Sequence, residues 1–222
     1  MDPVRAAFSA ECARLTEVLT DLVDADLDRP TDCPPWTVLE LIAHVRTDVG
    51  RLTDMLAAPA PARAVVDAAG YFGRAKFTEQ VDADRVAGGR RDALRVDRAA
   101  LAAEVDRAWR ATDAAVAAAP PDRVVRTRHG DAMRLTEFLR TRVVEVGVHG
   151  LDLAAALDRP PWLTTPAAEV IADLLTGGHP APAALGWDRV TVIRKTTGRA
   201  ALTALERAAI DAAGFRWLAF GR

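Results

Sequence analysis

The stretch RVVEVGVHGLDLA, residues 142–154, constrains the fold more than any other part of this 222-residue chain. Wound as a helix it is apolar almost all round, because Val143, Val144, Val146, Val148, Leu151 and Leu153 leave few directions for water. Such a helix is buried, with other elements packed about it. Arg142, Glu145, His149 and Asp152 nevertheless recur at spacings of three and four, which aligns them along one face. Buried carboxylates and imidazoles are costly unless something satisfies them. One reading pairs Glu145 with Arg142 and His149 with Asp152 or a neighbouring helix. The other gives Glu145 and His149 to a metal ion, since a carboxylate and a neutral imidazole are both good zinc ligands.

A buried helix needs companions, and the sequence supplies three. Residues 2–27 carry Val4, Phe8, Cys12, Leu15, Leu19 and Leu22 at helical spacing, with Cys12 on the core stripe as an inert thiol. A second helix starts at WTVLELIAHV, where Thr37 and Glu40 form a capping-box pattern and Trp36 serves as a packing anchor. A third is expected over about 92–118, with Leu94, Leu101, Val105 and Trp109 facing inward. The segment 58–90 has a Pro/Ala-rich start, a Gly-Gly end and room for a short helix near 65–72. Residues 120–134 read as a turn and a short extended or hairpin segment, and a fourth long helix covers about 133–157. These elements predict a mainly α protein built on a four-helix bundle, domain 1–158. The tail, 161–222, reads as a small α/β unit. Helices are expected from TTPAAEVIADLL and ALTALERAAIDAAG, and strands from DRVTVIRK and FRWLAFG.

Composition narrows the function. Half the residues are hydrophobic, about a quarter are charged, and the formal net charge is −2, as in a soluble globular protein. The arginines are interleaved with acids, so no basic patch points to nucleic acid. No apolar run reaches the roughly 20 residues of a membrane span. The first residues lack the core of a signal peptide, and two cysteines make no disulfide framework, so a cytoplasmic protein is expected.

A third metal ligand has few sources. His129 and His179 lie in Gly-containing turns and read as surface residues, whereas His44 sits among Leu41, Ile42 and Val45. Joined with Glu145 and His149 across a bundle, it would make a two-histidine, one-carboxylate site with an open position, the arrangement of catalytic zinc. An exogenous thiol could bind there as its reactive thiolate.

CPPWTVLELIAHV followed by RVVEVGVHGLDLA resembles the mycothiol-dependent maleylpyruvate isomerase family of DinB-like four-helix bundles, over about 1–157 and more loosely in the tail. The resemblance implies zinc on His44, Glu145 and His149, with mycothiol, a thiol of actinobacteria, in the open position. It implies supporting roles for Arg142 and Asp152, which hold the ligands or contact a ligand carboxylate. The Arg-rich, Lys-poor composition is compatible with a high-GC actinobacterium. In the tail, Arg199 and Arg222 are candidates to reach the cosubstrate or an acidic substrate, against a solvated surface role for each. Cys33 precedes a helix start, but in the family the thiol comes from mycothiol. The expected function is thiolate addition to a small electrophile, ending in isomerisation or S-transfer. The rivals are a non-catalytic binding bundle and a non-haem iron oxygenase, since the same ligand set suits iron(II).

Overall fold

Side-chain caps set where two of the four long helices begin. In the computed structural model, which describes residues 2–73 and 77–220, Asp2 accepts from the Val4 amide at 2.8 Å and starts α1, Pro3–Thr20. A single turn, α2, covers Asp24–Leu27. Thr37 and Glu40 form the expected capping box at the head of α3, Val38–Ala57. Another single turn, α4, covers Ala68–Tyr71, and α5 runs Glu79–Ala93. A 3-10 turn at Arg98–Ala100 leads into α6, Leu101–Ala118. The hairpin is present: β1, Val124–Arg126, pairs antiparallel with β2, Ala132–Arg134, Val125 opposite Met133. The strand β2 runs straight into α7, Leu135–Ala156.

Helices α1, α6, α3 and α7 form a closed ring in which each touches the next. This is the four-helix bundle. Helix α7 also packs on α8, Thr165–Thr176, and on α4, so it is covered from several sides. Fifteen of its 22 residues are buried, which answers its apolar composition. Two glycines permit the close approach of the chain around α8. A Cβ on Gly147 would come within 2.5 Å of Ile171 Cδ1, and one on Gly150 within 3.3 Å of the Trp162 indole nitrogen.

Three expectations are corrected. Helix α5 occupies a segment in which only a short helix near 65–72 was expected. Its Gly88–Gly89 pair looked like a stop, but Gly89 is a contact: a Cβ there would sit 2.9 Å from the Trp36 ring. The third helix does not begin near 92. The chain breaks after α5, Asp97 caps the 3-10 turn by accepting from the Ala99 amide, and Leu94 is 88% exposed rather than inward. Leu101, Val105 and Trp109 are buried as expected.

The tail is helical where strands were expected. Asp188 accepts from the Thr191 amide at 2.7 Å and starts α9, Arg189–Thr196, whose buried Val192, Ile193 and Thr196 lie on one helical face. The Val/Ile alternation was too short to distinguish a strand from a capped helix. A 3-10 turn at Ala183–Leu185 precedes α9, and helix α10, Ala204–Ala213, follows α9 and opens with a Thr203–Glu206 capping box. Residues 215–219 form no strand, although the Leu218 amide bonds the Leu175 carbonyl at 2.7 Å. Trp162, Ile171 and Ile193 belong to the same buried cluster as the bundle core. No helix among the described residues is long and apolar enough to cross a membrane.

The break between α5 and α6 has a direct test. Leu101→Ala should lower unfolding stability by about 2–5 kcal/mol, the usual cost of emptying a core leucine. Leu94→Ala should change it by less than about 0.5 kcal/mol, as at a surface position. Urea titration of both variants checks the pair.

Candidate metal centre

Helix α7 carries Glu145 and His149 one turn apart, and α3 brings His44 to them from across the bundle. Glu145 Oε2 lies 3.4 Å from His149 Nε2 and 3.7 Å from His44 Nε2. The two imidazoles stand nearly perpendicular, ring centroids 5.4 Å apart. One ligand atom from each residue falls within 4.8 Å of the others. These separations are long for charge-assisted hydrogen bonds, about 2.7–2.9 Å. They match the roughly 3.4 Å between donors set tetrahedrally around an ion bound at about 2.0–2.1 Å. Two imidazole nitrogens and one carboxylate oxygen therefore fit zinc in separation and in chemistry.

A layer of charge supports the donors. Arg142 is buried and its Nη1 donates to Asp48 Oδ2 at 2.9 Å. Its Nη2 lies 3.7 Å from Glu145 Oε1, too far for a hydrogen bond, and has no hydrogen-bond partner among the described residues. The guanidinium also sits 4.8 Å from the centre of the Phe138 ring. Burial alone would lower the Arg142 pKa, but Asp48, Tyr71 and Glu145 outweigh it and raise it. Burial would raise Glu145, yet His149, His44 and Arg142 hold it well below the usual carboxylate range. Asp48 was not anticipated. Its signal was its place four residues after His44 on an apolar helix, the spacing that drew attention to Glu145 and His149.

His149 is oriented from behind. Its Nδ1 lies 3.0 Å from Asp152 Oδ2, which leaves Nε2 to face Glu145. A carboxylate behind a ligating histidine fixes the tautomer and the plane of the ring. Asp152 also accepts from Arg199 Nε at 2.9 Å, Arg199 Nη2 at 2.8 Å and the Cys33 thiol at 3.1 Å. Cys33, His149 and Asp152 form a second cluster of metal-capable atoms. There, however, both Asp152 oxygens are engaged by hydrogen-bond donors. Trp36 covers the other histidine, its ring 4.7 Å from that of His44.

A cavity of about 430 Å³ opens above the donors. Glu145, His149, Asp48 and Val148 line its floor, with Cys33 and Trp36 beside them. Tyr71, Phe72, Phe77 and Phe220 give it aromatic walls, and Arg85, Arg128, His129 and Arg199 add polar groups. His129, expected at the surface, is half-buried here because α4 brings Tyr71 within 5.9 Å of its ring. His179 is exposed, as expected. Arg199 lines the cavity while holding Asp152. Arg222 lies outside the described residues. Cys12 is buried, and burial pushes its thiol pKa well up, consistent with an inert core position. The aromatic walls and Arg128 carried no periodic signal that would single them out in the sequence.

Residues 8–154 match the family model described as the mycothiol maleylpyruvate isomerase N-terminal domain. The chain belongs to that family. Two solved structures are similar to it: a crystal structure of the mycothiol-dependent maleylpyruvate isomerase, and one of a histidine-to-alanine mutant of that enzyme. Each has a TM-score of 0.54 and 16% identity, covering 78% of this chain and 68% of the other. That likeness shows the DinB-like fold. No curated protein matches the chain in sequence. The segment matched to the mycothiol maleylpyruvate isomerase N-terminal domain contains His44, Glu145, His149, Arg142 and Asp152, and it ends before Arg199.

The surroundings of His149 would give metal binding at this candidate site a definite pH dependence. Burial would lower its pKa, but Asp152, Cys33 and Glu145 raise it well above the usual value. A metal must displace that proton, so zinc affinity should rise with pH up to the raised value, with proton release on binding. In the metal-free protein the linkage has another consequence. Stability from protonated His149 is whole below its unfolded pKa of about 6.5 and is lost as pH rises through the raised folded value. Zinc titration by calorimetry in buffers of different ionisation enthalpy measures the proton release. Affinity independent of pH would contradict the assignment.

Proposed function

We propose that the protein is a zinc-dependent enzyme that uses mycothiol as thiol cosubstrate and adds it to a small electrophile. The observation that carries this reading is the convergence of His44, Glu145 and His149 at separations suited to one ion, with Glu145 and His149 lining a cavity large enough for a small ligand. Membership of the mycothiol maleylpyruvate isomerase N-terminal domain family supports the choice of thiol. When bound, zinc lowers the pKa of a coordinated thiol and so supplies a thiolate at neutral pH.

The chain's own residues set the conditions for that chemistry. With only one anionic ligand, Glu145, the centre keeps net positive charge for a thiolate. Arg142 stays cationic beneath Glu145, and Asp48 balances it. Asp152 keeps the His149 Nδ1 proton turned away from the cavity. Val144, Val148 and the aromatic walls limit water near the nucleophile. Arg128, exposed at the cavity, offers positive charge to an electrophile bearing a carboxylate.

The thiolate adds to a conjugated carbon–carbon double bond of the electrophile: a carbon–sulfur bond forms, the π bond breaks, and its electron pair moves onto the conjugated carbonyl as an enolate. If that bond breaks again after rotation about the adjacent carbon–carbon bond, the product is the geometric isomer and the thiol is regenerated. If the adduct takes up a proton and leaves, the result is S-transfer. The same residues serve both outcomes.

Zinc content and thiol-dependent turnover should stand or fall together. The wild-type protein, purified without chelator, should carry about one zinc per chain and convert maleylpyruvate or a related electrophile only with mycothiol present. His44→Ala and His149→Ala should lose both properties while remaining folded. Elemental analysis and a coupled absorbance assay read the two. A zinc-free, thiol-independent wild type would overturn the reading.

A further inference from the structure

We propose that the tail completes the metal centre. Arg199, carried on the connection between α9 and α10, acts through Asp152 as a positioning residue for His149. The proposal rests on the zinc reading above, and it adds a dependence on a part of the chain that the family match does not cover.

The sequence TTGR delivers the side chain. Helix α9 ends at Thr196, and Gly198 turns the backbone with φ +79°, in the left-handed region that glycine enters without strain. The Ala200 amide returns to the Arg194 carbonyl at 3.0 Å, closing the turn. From there Arg199 points back to α7. Its Nε and Nη2 take the two oxygens of Asp152 at 2.9 and 2.8 Å, and its Nη1 bonds the Thr197 carbonyl at 3.0 Å. All three guanidinium nitrogens thus have partners within the protein. The fork grips Asp152 and is committed before any ligand arrives.

Asp152 depends on that grip. Its side chain is 2% exposed, and a buried carboxylate is costly without a cation. Remove Arg199 and, among the described residues, His149 and Cys33 still hold it. Asp152 then loses the grip on both of its oxygens and is free to turn toward the cavity. His149 Nδ1 then loses its charged acceptor and the ring its fixed plane, so that Nε2 is no longer held facing Glu145. Outer partners of metal-bound histidines commonly contribute about 10–100-fold to metal affinity. The tail is anchored through α9 on α8 and α8 on α7, so docking of the tail and order at His149 are one linked property.

Competition with a chromophoric chelator at fixed pH tests this on the full chain. Arg199→Ala should weaken zinc binding by about 10–100-fold. Arg199→Lys should restore only part of it, because an ammonium cannot span both carboxylate oxygens. Arg207→Ala, an exposed arginine on α10, should bind zinc as the wild type does. A folded Arg199→Ala variant with wild-type zinc affinity would overturn the proposal.

Proton NMR of the metal-free protein gives a second, independent reading. The His149 Nδ1 proton should resonate downfield in the wild type and shift or exchange away in Arg199→Ala. An unchanged signal there would overturn the proposal. If the wild type binds no zinc, the zinc reading fails and this resonance still decides whether Arg199 governs His149.

Discussion

Charge buried on α7 sets the terms for the rest of the structure. The helix must be covered because its surface is apolar, yet it takes Arg142, Glu145, His149 and Asp152 inside with it. Each needs a partner that α7 alone cannot supply. Helix α3 answers with His44 and Asp48, the loop before it with Cys33, and the tail with Arg199. The closed ring of helices and the helices packed outside it bring these partners into place. A buried ion pair contributes little net stability, because desolvation offsets most of the attraction. The polar line is therefore better explained by what it holds in place than by what it adds to the fold.

Much of this was legible in the sequence because the strongest signals are local. The Thr37–Glu40 box, the stripe of α1 and the hairpin ahead of α7 each follow from residues near one another in the chain, and the structure has them. The three candidate donors also stand out in the sequence, as polar residues at helical spacing in apolar surroundings, and the structure brings them together. Failures arose where a distant contact decided the local conformation. Gly89 lies inside α5 because the Trp36 ring, some fifty residues earlier, occupies the space its Cβ would fill. Leu94 matched the inner stripe of a helix that breaks beside it. Asp188 outweighed a two-residue alternation and turned an expected strand into α9.

The site shows the same division. His44, Glu145 and His149 were visible one helix at a time. Asp48 became meaningful only when Arg142 was placed beside it, and the aromatic walls only when α4, α5 and the tail were brought to one cavity. Arg199 was marked as a candidate for ligand contact, and its guanidinium is bound to Asp152. The segment matched to the family carries the donors, while residues beyond it meet the outer face of the same centre.

We propose that one ion sits among His44, Glu145 and His149. Anomalous diffraction collected on either side of the zinc absorption edge, from crystals of the zinc-loaded protein, tests it most directly. The account predicts a single strong peak within bonding distance of Nε2 of both histidines and Oε2 of Glu145. A peak among Cys33, His149 and Asp152 instead, or none in the cavity, would contradict it.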